Sequence, residues 1–244
     1  MTKFTIRLLG GFAVADGDGA PVSVPGAKQR ALLAYLALSA GKAVPRDRLM
    51  SLLWGDRFDE QARQSLRQAL TKIRKLASDG GELLHAEGDA ITLAADAVAV
   101  DAAAFEGLAN DESADGCARA AELYQGELLE GLVVKEASFD EWIGAERARL
   151  GGLACTVLER DAAHKHEAGR TEEAIEIAQR LVKLDPLRES SHRLLMRIYA
   201  GSGQRAAALK QYTTCASILS VELGVEPDAE TKRLLQDIRK PSEP

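Results

Sequence analysis

Between residues 60 and 78, hydrophobic and polar residues recur at the spacing of an α-helix. Steps of three and four residues place the apolar positions on one face, and these positions are Ala62, Leu66, Ala69, Leu70, Ile73 and Ala77. The other face carries Gln64, Gln68, Thr71 and Lys75, flanked by Arg67 and Lys72, with Arg63 and Arg74 nearer the boundary. The pattern therefore predicts a two-faced helix over residues 60–78.

The N-terminal residues alternate between apolar and polar positions, as strands do. Lys3–Leu9 and Phe12–Ala15 predict two strands, Asp16–Gly19 predicts a turn, and Pro21–Val24 predicts a further strand. These stretches together predict a small antiparallel sheet.

Two helices are predicted between this sheet and the helix at 60–78. The first covers Ala27–Ser39, and the second begins at Pro45 and is stopped by Gly55. After residue 78, Asp79–Gly81 breaks the chain, and a hairpin follows. Its strands are Leu83–Ala86 and Ile91–Ala94, with Glu87–Asp89 at the tip.

Strands, three helices and a hairpin follow one another in the order of a winged helix, whose third helix enters the DNA major groove. We therefore predict a mainly α protein with two domains. The first is an α+β winged helix-turn-helix domain over residues 1–97. The second is an all-α, tetratricopeptide-like helical domain over residues 98–240.

The second domain is predicted from an internal repeat. Gly169 and Gly203 are 34 residues apart, and the same register relates Ala174 to Ala208 and Ile175 to Leu209. Thirty-four residues is the tetratricopeptide period, in which stacked helical hairpins bury a continuous core. Cys117–Leu128 and Phe139–His164 predict further helices upstream. Repeats of this kind suggest a domain that binds other proteins.

Charge is distributed unevenly along the chain. The net charge is −6, and all of it comes from residues 109–244, since Lys and Arg balance Asp and Glu over residues 1–108. Residues 61–78 nevertheless hold five basic residues and no acidic one. Arg and Gln make bidentate contacts with base edges, and Lys neutralises phosphates. The segment therefore favours a local DNA-binding surface, although a solvated surface helix has the same composition.

Candidate catalytic and metal sites are weak by comparison. Asp16 and Asp18 lack the other ligands of a calcium loop, His164 and His166 point in different directions on a helix, and no nucleophile motif occurs. The three cysteines are far apart without a CxxC motif, which indicates reduced thiols. We predict no enzymatic activity, no metal and no cofactor.

No membrane partner is expected. No apolar run approaches the ~20 residues of a membrane span, and the N-terminus is too short and interrupted for a signal peptide. We expect a cytoplasmic protein.

Two blocks of sequence resemble a known family. Residues 26–56 with residues 62–76 resemble the DNA-binding domain of SARP-type bacterial transcriptional activators, a branch of the OmpR/PhoB-like winged helices. The segments ELYQGELLEG, FDEWIGAERARL and ELGVEPDAET resemble the bacterial transcriptional activator domain (BTAD) that follows it in that family. The resemblance covers the chain from about Phe4 to Ile238.

The resemblance implies a regulator that binds double-stranded DNA at promoter direct repeats, with protomers self-associating side by side. It also implies recruitment of RNA polymerase, often through the loop before the recognition helix, here Trp54–Ala62. The recognition helix corresponds to residues 60–77. Candidate base contacts are Gln64, Arg67, Gln68 and Thr71, and candidate phosphate contacts are Arg63, Lys72, Arg74 and Lys75.

The hairpin departs from the family pattern. Its tip carries Glu87 and Asp89 where the family often has a basic residue, so we expect the tip to repel phosphate. The alternative hypothesis is a tetratricopeptide-type protein-interaction adaptor whose winged helix binds DNA weakly or not at all.

Overall fold

The structure is a computed structural model and describes residues 4–76 and 83–240. The chain forms two compact units, of which the first runs to Leu108 and includes Glu122–Leu150. The second contains Ala109–Ala121 and the residues from Gly151 onward. The boundary that we place after residue 97 is a division into sequence domains, and it stays a prediction.

The secondary structure of the described residues is mainly helical. In chain order the elements are β1 (Phe4–Arg7), β2 (Ala13–Ala15), α1 (Ala27–Leu38), β3 (Val44–Pro45), α2 (Arg46–Trp54), α3 (Asp59–Arg74), β4 (Leu84–Glu87), β5 (Ala90–Leu93), β6 (Val98–Val100), α4 (Asp101–Leu108), α5 (Ala114–Leu123), α6 (Ala137–Glu167), α7 (Thr171–Leu184), α8 (Glu189–Gly201), α9 (Arg205–Leu223) and α10 (Ala229–Arg239). The predicted fold class is confirmed: a small α+β part precedes an all-α part.

The described residues of the first unit form two three-stranded sheets, in the orders β2-β1-β6 and β3-β5-β4. β1 pairs with β2 antiparallel but with β6 parallel, so the predicted purely antiparallel sheet is wrong. The predicted strand Pro21–Val24 is also wrong, since Pro21 makes only an isolated bridge to Ala15. Proline has no N–H to donate to a strand ladder, and Pro25 follows.

Helix α1 lies at the centre of the first unit and contacts α2, α3, β5 and β6. Its residues 31–34, 36 and 37 are all buried, so apolar side chains surround the helix rather than forming one stripe. Residues 122–150 cover a further side: the rings of Tyr35 and Trp142 are 4.9 Å apart, and Lys28 is ion-paired with Glu136. The three-helix core therefore includes a segment that is distant in the sequence.

Asp101 joins this core to β1. Its carboxylate accepts hydrogen bonds from the backbone N–H groups of Leu8 at 2.8 Å, Leu9 at 3.0 Å and Ala102 at 2.7 Å. Burial raises the pKa of Asp101, while these three donors act in the opposite direction. The amides of Leu8 and Leu9 would otherwise be left without partners where β1 ends.

The repeat predicted in the second unit is confirmed in its backbone. Gly169 and Gly203 both have positive φ, at 74° and 77°, two residues before the starts of α7 and α9. Hydrogen bonds around them match at the same 34-residue offset, with Arg170 N–H bonding to the carbonyl of Lys165 and Gln204 N–H to that of Tyr199, both at 2.8 Å. The buried Ala174 and Ala208 occupy equivalent positions. The unit is a stack of helical hairpins.

The three cysteines are free and buried, in α5, α6 and α9. Burial raises the pKa of Cys215 to about 11, which leaves it a protonated, weakly nucleophilic thiol at neutral pH. His192 is likewise a core residue, since its ring nitrogens contact the Pro186 carbonyl and the Gln211 side chain.

Replacing Asp101 with Ala should destabilise the first unit by roughly 2–4 kcal/mol, because two buried amides lose a charged acceptor. Urea unfolding followed by tryptophan fluorescence measures this directly, since Trp54 and Trp142 both lie in that unit. Asp96→Ala, at an exposed turn, is the control and should change the free energy of unfolding by less than about 0.5 kcal/mol. Equal effects of the two substitutions would contradict the role of Asp101.

Candidate nucleic-acid interface

Helix α3 has the two faces predicted from the sequence. Ala62, Leu66, Ala69, Leu70 and Ile73 are buried, each at most 4% exposed. The helix runs from Asp59 to Arg74 and begins one residue earlier than predicted. Its predicted continuation over Lys75 and Leu76 is wrong, since these two residues form a turn. The predicted continuation through Ala77 and the break at residues 79–81 lie outside the described residues.

All eight predicted DNA-contacting residues are exposed, namely Arg63, Gln64, Arg67, Gln68, Thr71, Lys72, Arg74 and Lys75. Within residues 4–76 and 83–240, none of the five basic side chains in this set is ion-paired. Because these side chains are exposed, an external anion can reach them. Unlike the others, Thr71 donates its hydroxyl hydrogen to the carbonyl of Arg67 at 2.9 Å. It can offer a partner only its methyl group and an acceptor oxygen.

The loop before α3 is exposed at one apolar residue. Trp54 ends α2 and is buried, with the Lys28 ammonium 5.7 Å from its ring centroid. Phe58, in contrast, is 83% exposed. The Arg57 guanidinium donates to the Ser65 hydroxyl at 3.0 Å and ties the loop to α3. The sequence indicates the loop but not Phe58, because exposure is a property of the folded chain.

The hairpin β4–β5 forms the wing and turns at Gly88 and Asp89, with a φ of 55° at Gly88. β3 pairs with β5, which brings the wing tip against the start of α2. The Arg46 N–H donates to the Asp89 carbonyl at 2.9 Å, and the Arg46 Nε lies 3.9 Å from the Asp89 carboxylate. The tip is therefore fixed to α2, and one of its two acidic side chains faces a guanidinium.

A cleft of about 410 Å³ opens between α2, α3 and the wing tip. Its lining residues are Arg46, Asp47, Met50, Arg63, Leu66, Arg67 and Asp89. Two of these arginines belong to the predicted DNA-binding face. Arg46 is not among the residues predicted from the sequence, since it lies outside α3 and its position depends on the pairing of β3 with β5.

The part of the chain that the structure describes contains no group of three or more His, Cys, Asp or Glu side chains placed to hold a metal ion. No helix in that part is both long and apolar enough to cross a membrane.

Two known families match successive parts of the chain. Residues 22–86 match the family described as "Transcriptional regulatory protein, C terminal", and residues 89–239 match the "Bacterial transcriptional activator domain". The second match alone covers more than half of the chain. The first match spans helices α1–α3, and the second spans β5 to α10.

Relatives of similar sequence are regulatory proteins. Regulatory protein AfsR of Streptomyces coelicolor is 31% identical over 91% of this chain and 23% of its own length. Regulatory protein DnrI of Streptomyces peucetius is 29% identical over 94% of this chain and 89% of its own length. The chain thus spans less than a quarter of the AfsR proteins that it matches.

A solved structure of Mycobacterium tuberculosis EmbR in complex with a low-affinity phosphopeptide has the same fold. It superposes with a TM-score of 0.76 at 22% identity and covers all of this chain and 67% of EmbR. The solved structure shows the fold, and the two family matches confirm the family that the sequence motifs indicated. The chain belongs to the SARP-type bacterial transcriptional activators, in which a winged helix is followed by a bacterial transcriptional activator domain.

Proposed function

We propose that the protein is a sequence-specific DNA-binding activator that recognises promoter direct repeats through α3 and recruits RNA polymerase. The observation that carries the proposal is the exposed face of α3, where eight cationic and polar side chains stand opposite a buried apolar stripe. The stripe anchors the helix to the core, so its outer face can enter a major groove without unfolding the domain.

The proposed contacts divide into two classes. Gln64, Arg67 and Gln68 can hydrogen-bond to base edges, and Thr71 can contact a thymine methyl group. Phosphates are bound by Arg63, Lys72, Arg74 and Lys75, which set the position of the helix without reading sequence. With a chain net charge of −6, nonspecific attraction to DNA is weak, so affinity depends on this one face.

RNA polymerase is proposed to contact the loop between α2 and α3. The loop presents Phe58 beside the DNA-binding face and is held by Arg57 and the buried Trp54. An exposed aromatic ring on a fixed loop is the kind of anchor that protein interfaces use. Promoter direct repeats imply self-association of protomers side by side on DNA.

A gel-shift titration against random and genomic DNA fragments at two salt concentrations tests the proposal against a protein-interaction adaptor. Saturable binding that favours particular genomic fragments at both salt concentrations is expected of the activator. Absent or sequence-independent binding would instead favour the adaptor, in which the helical repeats carry the function.

Replacing Arg67 and Gln68 with Ala should lower discrimination between the selected site and random DNA by ~1–3 kcal/mol for each good base contact that the substitutions remove. Binding competition between the two DNAs measures this difference. Arg233→Ala/Gln236→Ala removes the same residue types from an exposed part of α10 and should bind like the parent protein. If the two double variants discriminate equally well, α3 does not read the bases.

Lys75→Ala should weaken binding to specific and random DNA alike. Because the substitution removes one phosphate contact, the plot of log affinity against log salt should become less steep by about one unit. Fluorescence anisotropy over a range of salt concentrations gives this slope, and Lys210→Ala, exposed on α9, provides the control. A sequence-dependent weakening at unchanged slope would place Lys75 against a base instead.

Phe58→Ala should leave DNA affinity unchanged and reduce transcription from a target promoter about tenfold, as expected when an interface anchor worth ~1.4 kcal/mol is removed. Run-off transcription with purified polymerase separates the two effects. Val221→Ala, at a residue 76% exposed in the second unit, should leave transcription unchanged. Full activation by the Phe58 variant would exclude this ring as the polymerase contact.

A further inference from the structure

The cleft between α2, α3 and the wing tip has an unusual charge arrangement. Three of its lining side chains are guanidinium groups, those of Arg46, Arg63 and Arg67, and the carboxylates of Asp47 and Asp89 share the same space. Arg63 and Arg67 belong to the exposed face of α3, so the cleft opens beside the surface proposed to enter the groove. A phosphate near that surface would meet cations and carboxylates together.

Arg46 and Asp89 differ from the other residues that line the cleft because the fold holds them against each other. The backbone bond from the Arg46 N–H to the Asp89 carbonyl, at 2.9 Å, fixes the two residues whatever their side chains do. Their side chains are 3.9 Å apart and 30% and 73% exposed, respectively. A long, solvated ion pair contributes little stability and exchanges its partner readily.

We propose that Arg46 is a further DNA-phosphate contact. In the free protein Asp89 pairs with Arg46, and it therefore competes with the phosphate when DNA binds. This inference rests on the proposed function. A carboxylate and a phosphate offer a guanidinium the same kind of oxygen pair, so Asp89 occupies Arg46 until DNA displaces it. The wing tip thereby lowers affinity for all DNA sequences rather than selecting among them.

The alternative is that Asp89 acts only as one more negative charge near DNA. Glu87 provides the matched case: it lies on the same hairpin and is exposed, but it neither lines the cleft nor pairs with Arg46. General repulsion would act through both acids and would be screened within about 10 Å at 0.1 M salt. Competition for Arg46 acts through Asp89 alone and disappears when the arginine is removed.

The test measures DNA affinity of the full chain for Asp89→Asn, Glu87→Gln, Arg46→Ala and the Arg46→Ala/Asp89→Asn double variant. Asp89→Asn should raise affinity roughly fivefold for specific and random DNA, and it should leave the salt slope unchanged because Arg46 contacts the phosphate in both proteins. Glu87→Gln should raise affinity less than about twofold. In the Arg46→Ala background, the increase from Asp89→Asn should also fall below about twofold.

Two results would overturn the inference while leaving the proposed function standing. One is an equal increase in affinity from Glu87→Gln and Asp89→Asn, and the other is an increase from Asp89→Asn that does not depend on Arg46. Failure of the parent protein to bind any DNA would overturn both proposals together. Thermal unfolding monitored by tryptophan fluorescence checks that Asp89→Asn retains the parent fold, and Asp89→Ser provides a second uncharged variant at the same position.

Discussion

The first unit depends on the burial of α1. Apolar side chains surround this helix, so no single neighbouring layer can remove it from water. Helices α2 and α3 cover part of it, and residues 122–150 contribute a further layer through Trp142 and Glu136. Residues 122–150 are separated from the winged helix in the sequence by α4 and most of α5, yet they belong to the same unit. The winged helix and this segment therefore form one core rather than two independent ones.

That shared core determines where α3 can act. The helix buries five small and branched apolar residues and packs against α1 and α2, so its polar face is directed outward. On one side of this face the loop carries Phe58, and on another the wing tip is tied to Arg46. The surfaces proposed to contact DNA and polymerase thus lie, with the acidic wing, on one small part of the surface that is held by one core.

Much of this arrangement follows from local pattern. The face of α3 was predictable because helical periodicity alone separates Leu66 and Leu70 from Gln64 and Gln68. The 34-residue repeat was predictable because Gly169 and Gly203 recur at that spacing, and they lie in the turns between α6 and α7 and between α8 and α9 with the same left-handed backbone. Strand β6 and helix α4 were missed because the short Val98–Val100 strand acquires its identity only by pairing with β1, almost a hundred residues earlier.

By itself, the sequence determined helices α1–α3, the separation of apolar from cationic and polar residues along α3, and the family, because each follows from spacings of a few residues or from contiguous motifs. Tertiary structure alone decided which distant residues meet in the first unit. Asp101 accepts a hydrogen bond from Leu8, Trp142 packs against Tyr35, and Asp89 lies beside Arg46, at sequence separations that no local pattern covers. These contacts depend on how the sheets and helices pack, and packing is a property of the whole core.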